Sequence, residues 1–158
     1  MKKIVLSLLI VLSVLLVTGC AKEIDFSKTN HIICKKSEEK TSDITNSVIT
    51  FSYDEKENLK DFQVETDVTY KVAQSKEATE LAAKTIKLIT KPLGLFAKTR
   101  VGDNSFYFSF SGSIKGFKTI MKQLDKNYVE ANVTGDTKSE ALEELTKDGY
   151  SCQDVKKK

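Results

Sequence analysis

The sequence predicts an α+β fold: an antiparallel β-sheet with two or three packed helices in a single domain. Three observations carry that expectation. Residues Phe62 to Tyr70 alternate apolar and polar side chains, as a half-buried strand does. From Ser75 the apolar spacing changes to that of a helix, and Thr137-Lys138-Ser139-Glu140 has the Thr-x-x-Glu spacing of a capping box.

The chain opens with Lys2 and Lys3, then an apolar-dominated run of 14 residues from Ile4 to Val17, then Thr18-Gly19-Cys20. Residues 1–19 read as a lipoprotein signal peptide, cleaved before Cys20 once its thiol carries diacylglycerol. A retained anchor and an ordinary secretory cleavage are the alternatives, but an anchor needs about 20 apolar residues to cross a bilayer core, and the cysteine at the boundary favours the lipoprotein reading. Acylated Cys20 would hold the chain on the outer face of a cell membrane, each buried methylene contributing about 0.8 kcal/mol. Residues 20–28 contain only Ile24 and Phe26 as large apolar side chains, so they read as a lipidated tether ahead of an α+β domain over 29–158.

His31 to Cys34 is a short β-like run, and Ser47 to Tyr53 a second, with the charged stretch Glu38 to Asp43 read as a solvated loop between them. Asp54 to Asn58 makes a turn. Phe62, Val64, Thr66, Val68 and Tyr70 then share one face of a third strand. Behind a Ser75 cap, Ala78, Leu81, Ala82, Thr85, Ile86 and Ile89 recur at helical intervals, and Pro92 ends that helix near Lys91. Asn104 to Ser111 reads as a fourth strand with Phe106, Phe108 and Phe110 toward the core and Tyr107 and Ser109 opposite. Phe117, Ile120, Met121 and Leu124 fit one face of a second helix, and Tyr128 to Val133 fits strand or loop. Ala141, Leu142 and Leu145 give the last helix its apolar side, with Gly149 at C′. Lys156 to Lys158 reads as a frayed tail or a contact with anionic lipid.

Composition bounds the function. Cys20 to Lys158 is 139 residues, one domain's worth. Without Lys2 and Lys3 the balance is 23 basic to 22 acidic side chains, and acids and lysines are interspersed. That argues against nucleic acid, whose binders show a basic face with stacking aromatics. Arg100 is the single arginine beside 24 lysines, which suggests an AT-rich bacterial genome and a Gram-positive-type envelope. Cys34 and Cys152, exported together, invite a disulfide. Two free thiols are the alternative, and the absence of a Cys-x-x-Cys pair argues against redox chemistry.

Catalytic and cofactor signatures are sparse. His31 is the only histidine, and with Cys34 it makes a two-ligand fragment where zinc needs three or four ligands. Ser109, Ser111 and Ser113 lie outside any Gly-x-Ser-x-Gly context. Gly112 to Gly116 lacks the ending of a phosphate loop, and Asp103-Asn104 lacks the ligand series of a calcium loop. Glu38-Glu39, Glu55 with Glu57, and Glu143-Glu144 are carboxylate pairs in polar segments, where water keeps both members ionised. No catalytic residue, metal or cofactor is assigned.

The lipobox ending at Cys20, the small mature domain, the strands Val48 to Tyr53 and Phe62 to Tyr70, and the Leu142-Glu143-Glu144-Leu145 helix together resemble small Firmicutes lipoproteins related to the YehR family. That resemblance implies an α+β fold of uncharacterised function. The leading expectation is a non-enzymatic, lipid-anchored envelope protein whose domain binds another protein or a cell-wall component. The second is a small-molecule or peptide binder using Tyr107 and Tyr70, and an enzyme ranks third.

Overall fold

The computed structural model describes residues 22–124 and 136–157. The signal peptide, Cys20 and the Tyr128–Val133 run lie outside them. Six strands form one antiparallel sheet: β1 (Asn30–Glu39), β2 (Asp43–Tyr53), β3 (Leu59–Tyr70), β4 (Phe96–Val101), β5 (Ser105–Ser113) and β6 (Ser151–Val155). Their order across the sheet is β4-β5-β3-β2-β1-β6. The helices α1 (Lys76–Thr90), α2 (Ile114–Leu124) and α3 (Lys138–Lys147) complete a single α+β domain.

The alternation read at Phe62 to Tyr70 becomes a central strand, because its apolar face lines up with its neighbours. Cys152, Cys34, Ile49, Val64, Phe110 and Ala97 form one row, and Ile32, Phe51, Phe62 and Gly112 the next. These rows are the floor of the core, and Leu59, Leu95, Ile114 and Ala141 are buried against them. Phe62 meets Phe110 and Phe117 edge-on, with ring centroids 6.2 and 5.7 Å apart, a favoured aromatic geometry that seats α2 on the sheet. Phe106, Phe108 and Phe110 do line one face, with Phe106 buried.

Several boundaries differ from the sequence-based expectation. Half of Glu38 to Asp43 is strand: β1 and β2 pair as far as Glu39 and Ile44, and Lys40 to Ser42 alone make the turn. Ladder bonds outweigh the charges there, because side chains on a sheet margin stay solvated while the backbone pairs. Strand β4 has no counterpart in the sequence reading. Its run of Lys98, Thr99 and Arg100 hides the alternation, since an edge strand has little apolar burial to signal.

Helix α1 begins and ends as expected, with Ser75 capping Ala78 N–H and the last helical residue two before Pro92. Its inward face is turned from the expected one. Thr79 and Thr90 are buried and Ala82, Ala83 and Ile86 half-buried, whereas Ala78, Leu81, Thr85 and Ile89 are exposed. The helix lies over β4 and the edge of β5, and small side chains there allow close approach. The termini of α3 follow sequence chemistry closely. Thr137 and Glu140 form both halves of the capping box. Gly149, at φ 84°, donates to the Thr146 carbonyl while Tyr150 N–H reaches that of Leu145, a Schellman closure.

Candidate functional site

Three regions gather the side chains capable of recognition. The first is the corner where β6 closes the sheet. Cys34 and Cys152 are bridged. Beside them the Tyr53 hydroxyl donates to Asp154 Oδ1 at 2.5 Å and accepts from Lys156 Nζ at 2.9 Å. Lys138 Nζ lies 4.9 Å from the Tyr53 ring centroid and bridges Asp154 at 2.8 Å and Glu57 at 3.1 Å. Those two carboxylates, Asp154 foremost, push the Lys138 ammonium above its ordinary value. Burial works to raise Asp154, but hydrogen bonds from Lys138 and Tyr53 outweigh it and hold the carboxyl below its usual range. These hydrogen bonds and ion pairs join β6 to β2 and α3, so the corner works as a latch on β6. Lys156 and Lys157 belong to it, Lys157 N–H donating to Asn30 Oδ1 at 2.9 Å. The expectation of a frayed tail is corrected for these two residues.

The second region is the sheet face opposite the core. Lys35, Val48, Glu65, Ser109 and Lys98 form one row there, and Ile33, Thr50, Gln63, Ser111 and Phe96 the adjoining one. Tyr107 donates to Glu65 Oε2 at 2.9 Å, Gln63 donates to Glu65 Oε1 at 2.9 Å, and the Arg100 guanidinium stacks 5.1 Å from the Tyr107 ring centroid. Burial, aided by the Glu65 carboxylate, pushes the Tyr107 phenol above its ordinary value. Tyr70 aligns with Val68 and Thr66 on the other face, so the two tyrosines read from the sequence as contacts do not share a site.

The chain from Glu23 to His31 runs across this same face. Phe26 packs on His31 with ring centroids 6.0 Å apart, over β1, while Glu23 Oε1 meets Lys98 Nζ at 2.6 Å, on β4. Strands β2, β3 and β5 stand between those contacts. His31 is buried and donates from Nδ1 to the Thr29 carbonyl at 2.9 Å, which makes it a support for this crossing. Its partner in the two-ligand fragment, Cys34, points to the opposite face and is bridged. Ser109 and Ser111 are buried on the crossed face.

The third region, unread from the sequence, is the edge formed by α1 and β4. An open depression of ≈ 210 Å³ lies there, lined by Lys87, Thr90, Lys91, Leu95, Phe96 and Ala97. Beyond it Leu81, Leu88 and Ile89 face solvent. The signal that identifies this edge is compositional: residues 81–102 hold Lys84, Lys87, Lys91, Lys98 and Arg100 and no acid.

Among the described residues, no group of three or more His, Cys, Asp or Glu side chains is close enough to hold a metal, and no helix is long and apolar enough to cross a membrane. No protein-family model, curated protein or solved structure matches the chain.

Proposed function

We propose that the protein is a membrane-anchored extracytoplasmic lipoprotein, held by lipid on Cys20, whose α+β domain binds an envelope protein or cell-wall component without catalysis. The observation that carries this reading is the Cys34–Cys152 disulfide. Such bridges persist in oxidising compartments, the same side of the membrane to which the segment ending at Cys20 would direct the chain. Two unrelated features thus agree on location. The resemblance to YehR-related lipoproteins fits that location and adds no activity. Binding by a small molecule is less favoured, because Tyr70 and Tyr107 lie on opposite sheet faces.

Replacing Cys20 by Ser tests the anchor: the variant is expected in the culture fluid or loosely held, and retention in the membrane at the unmutated level overturns it. Crosslinking in cells, with an unrelated lipoprotein as control, tests the partner. A reproducible protein or wall fragment absent from the control is the expected result, and capture of only shared neighbours overturns the accessory role.

A further inference from the structure

We infer, on the lipid-anchored reading above, that the α1–β4 edge is a second membrane contact: an apolar and basic surface that rests on anionic lipid headgroups. Four large apolar side chains stand out as exposed among the described residues: Val72 at 63 %, Leu81 at 65 %, Leu88 at 72 % and Ile89 at 56 %. All four fall in the single connection between β3 and β4. Scattered exposed leucines need no explanation, but Leu81, Leu88 and Ile89 share α1, and apolar side chains gathered on one element mark a contact surface.

Charge selects the occupant. Lys84 and Lys87 on the helix and Lys91 at its C-cap flank Leu88 and Ile89, with no acid between residues 81 and 102. Glu77 and Glu80 are confined to the N-terminal part of the helix. Lysines near a helix C-terminus suit its dipole, but that does not account for the bare leucines beside them. Basic residues around an apolar stripe are the composition of a helix lying in a membrane interface, where lysine stems cover apolar surface and their ammonium groups reach phosphates.

The described chain begins beside this edge, at β4. Glu23 is paired with Lys98 of β4, the strand over which α1 packs. Cys20 precedes Glu23 by three residues, a reach of about 10 Å at full extension. Lipid on Cys20 would then hold the bilayer within reach of the edge that carries the exposed leucines and the lysines. Once the anchor has confined the domain to the surface, even a weak second contact is populated, because it forms within one molecule.

The test uses the lipidated full chain in vesicles of phosphatidylcholine, with or without phosphatidylglycerol. An environment-sensitive fluorophore is placed on Leu88→Cys or, for reference, on Ser139→Cys of α3, the native bridge leaving Cys34 and Cys152 unlabelled. In phosphatidylglycerol vesicles the probe at 88 should shift to the blue and be quenched by headgroup-region nitroxide lipid at least several-fold more than the probe at 139. Lys84→Gln/Lys87→Gln/Lys91→Gln, all exposed changes, should reduce that quenching to the reference level. Equal quenching at 88 and 139, or full quenching in the triple variant, overturns the proposal. So does shielding at 88 without lipid quenching, which would mean that a second protein copy covers the helix. The mass of the N-terminal peptide separates this outcome from failure of the anchor. If Cys20 proves unacylated, the secreted chain should still sediment with phosphatidylglycerol vesicles and not with phosphatidylcholine alone, and no sedimentation overturns the edge contact itself.

Discussion

Cys34 of β1 and Cys152 of β6 stand directly opposite one another, Cα atoms 4.0 Å apart, and their bridge closes a separation of 118 residues. Strand β6 has five residues and β1 as its sheet neighbour, so the bridge fixes the least supported strand to a fully buried position. In the chain-entropy picture a loop of that length contributes about 4–5 kcal/mol. Urea unfolding with and without reductant should differ by several kcal/mol, and a difference below about 1 kcal/mol would assign the closure of β6 to the Tyr53 latch alone.

Tyr53→Phe removes the hydroxyl shared by Asp154 and Lys156 and keeps the buried ring. Hydrogen bonds to charged groups contribute about 1.5–3 kcal/mol, and the loss should fall at or below the lower end because Asp154 keeps Lys138. Amide exchange is the discriminating readout: Ser151 to Val155 should exchange faster while the β2–β3 ladder is unchanged.

Asp54 organises the β2–β3 turn. It pairs with Lys60 at 2.7 Å and accepts from the backbone of Lys56 and Asn58 at 3.0 and 2.9 Å. Lys60 first, then the Asn58 amide, hold its carboxyl down at about 2. A depressed folded value means that the stabilisation is present above the unfolded value near 3.9 and is lost as pH falls toward about 2. Unfolding free energy measured between pH 5 and 2 should therefore fall less steeply for Asp54→Asn than for the unmutated chain.

Two glycines separate two kinds of cost. A Cβ on Gly112 would stand 2.5 Å from Leu95 Cδ2, in the core, whereas one on Gly149 meets Lys36 Cε at 3.7 Å but sits at φ +84°. Gly112→Ala should cost about 1–3 kcal/mol through overpacking. Gly149→Ala should cost about 1 kcal/mol through backbone strain alone. In a double-mutant cycle, Leu95→Ala should couple to Gly112→Ala and leave Gly149→Ala additive.

Local chemistry was readable wherever it decides structure by itself. Ser75, Pro92, the Thr137–Glu140 box and Gly149 set helix ends through groups within a few residues, and the period-2 run at Phe62 to Tyr70 set a strand. Strand β4 and the inward face of α1 were not readable. In α1 Leu81, Leu88 and Ile89 point to solvent and Thr79 and Thr90 point inward, the reverse of what periodicity rewards. Of the surfaces capable of recognition, the disulfide pair was foreseen from compartment and count, and Tyr107 was foreseen without its partners Glu65 and Arg100.

By itself the sequence determined an α+β chain, its helix caps, the phenylalanine strand and the candidacy of Cys34 and Cys152 for a bridge. Only the tertiary structure decided that β6 returns beside β1, that the residues after Lys22 cross the polar sheet face to reach Lys98, and that α1 presents leucines outward over β4. The reason is range. Caps and strand alternation follow from interactions among near neighbours in sequence, whereas strand order and helix rotation depend on which distant surfaces fit, as Leu95 fits over Gly112 and Cys152 beside Cys34.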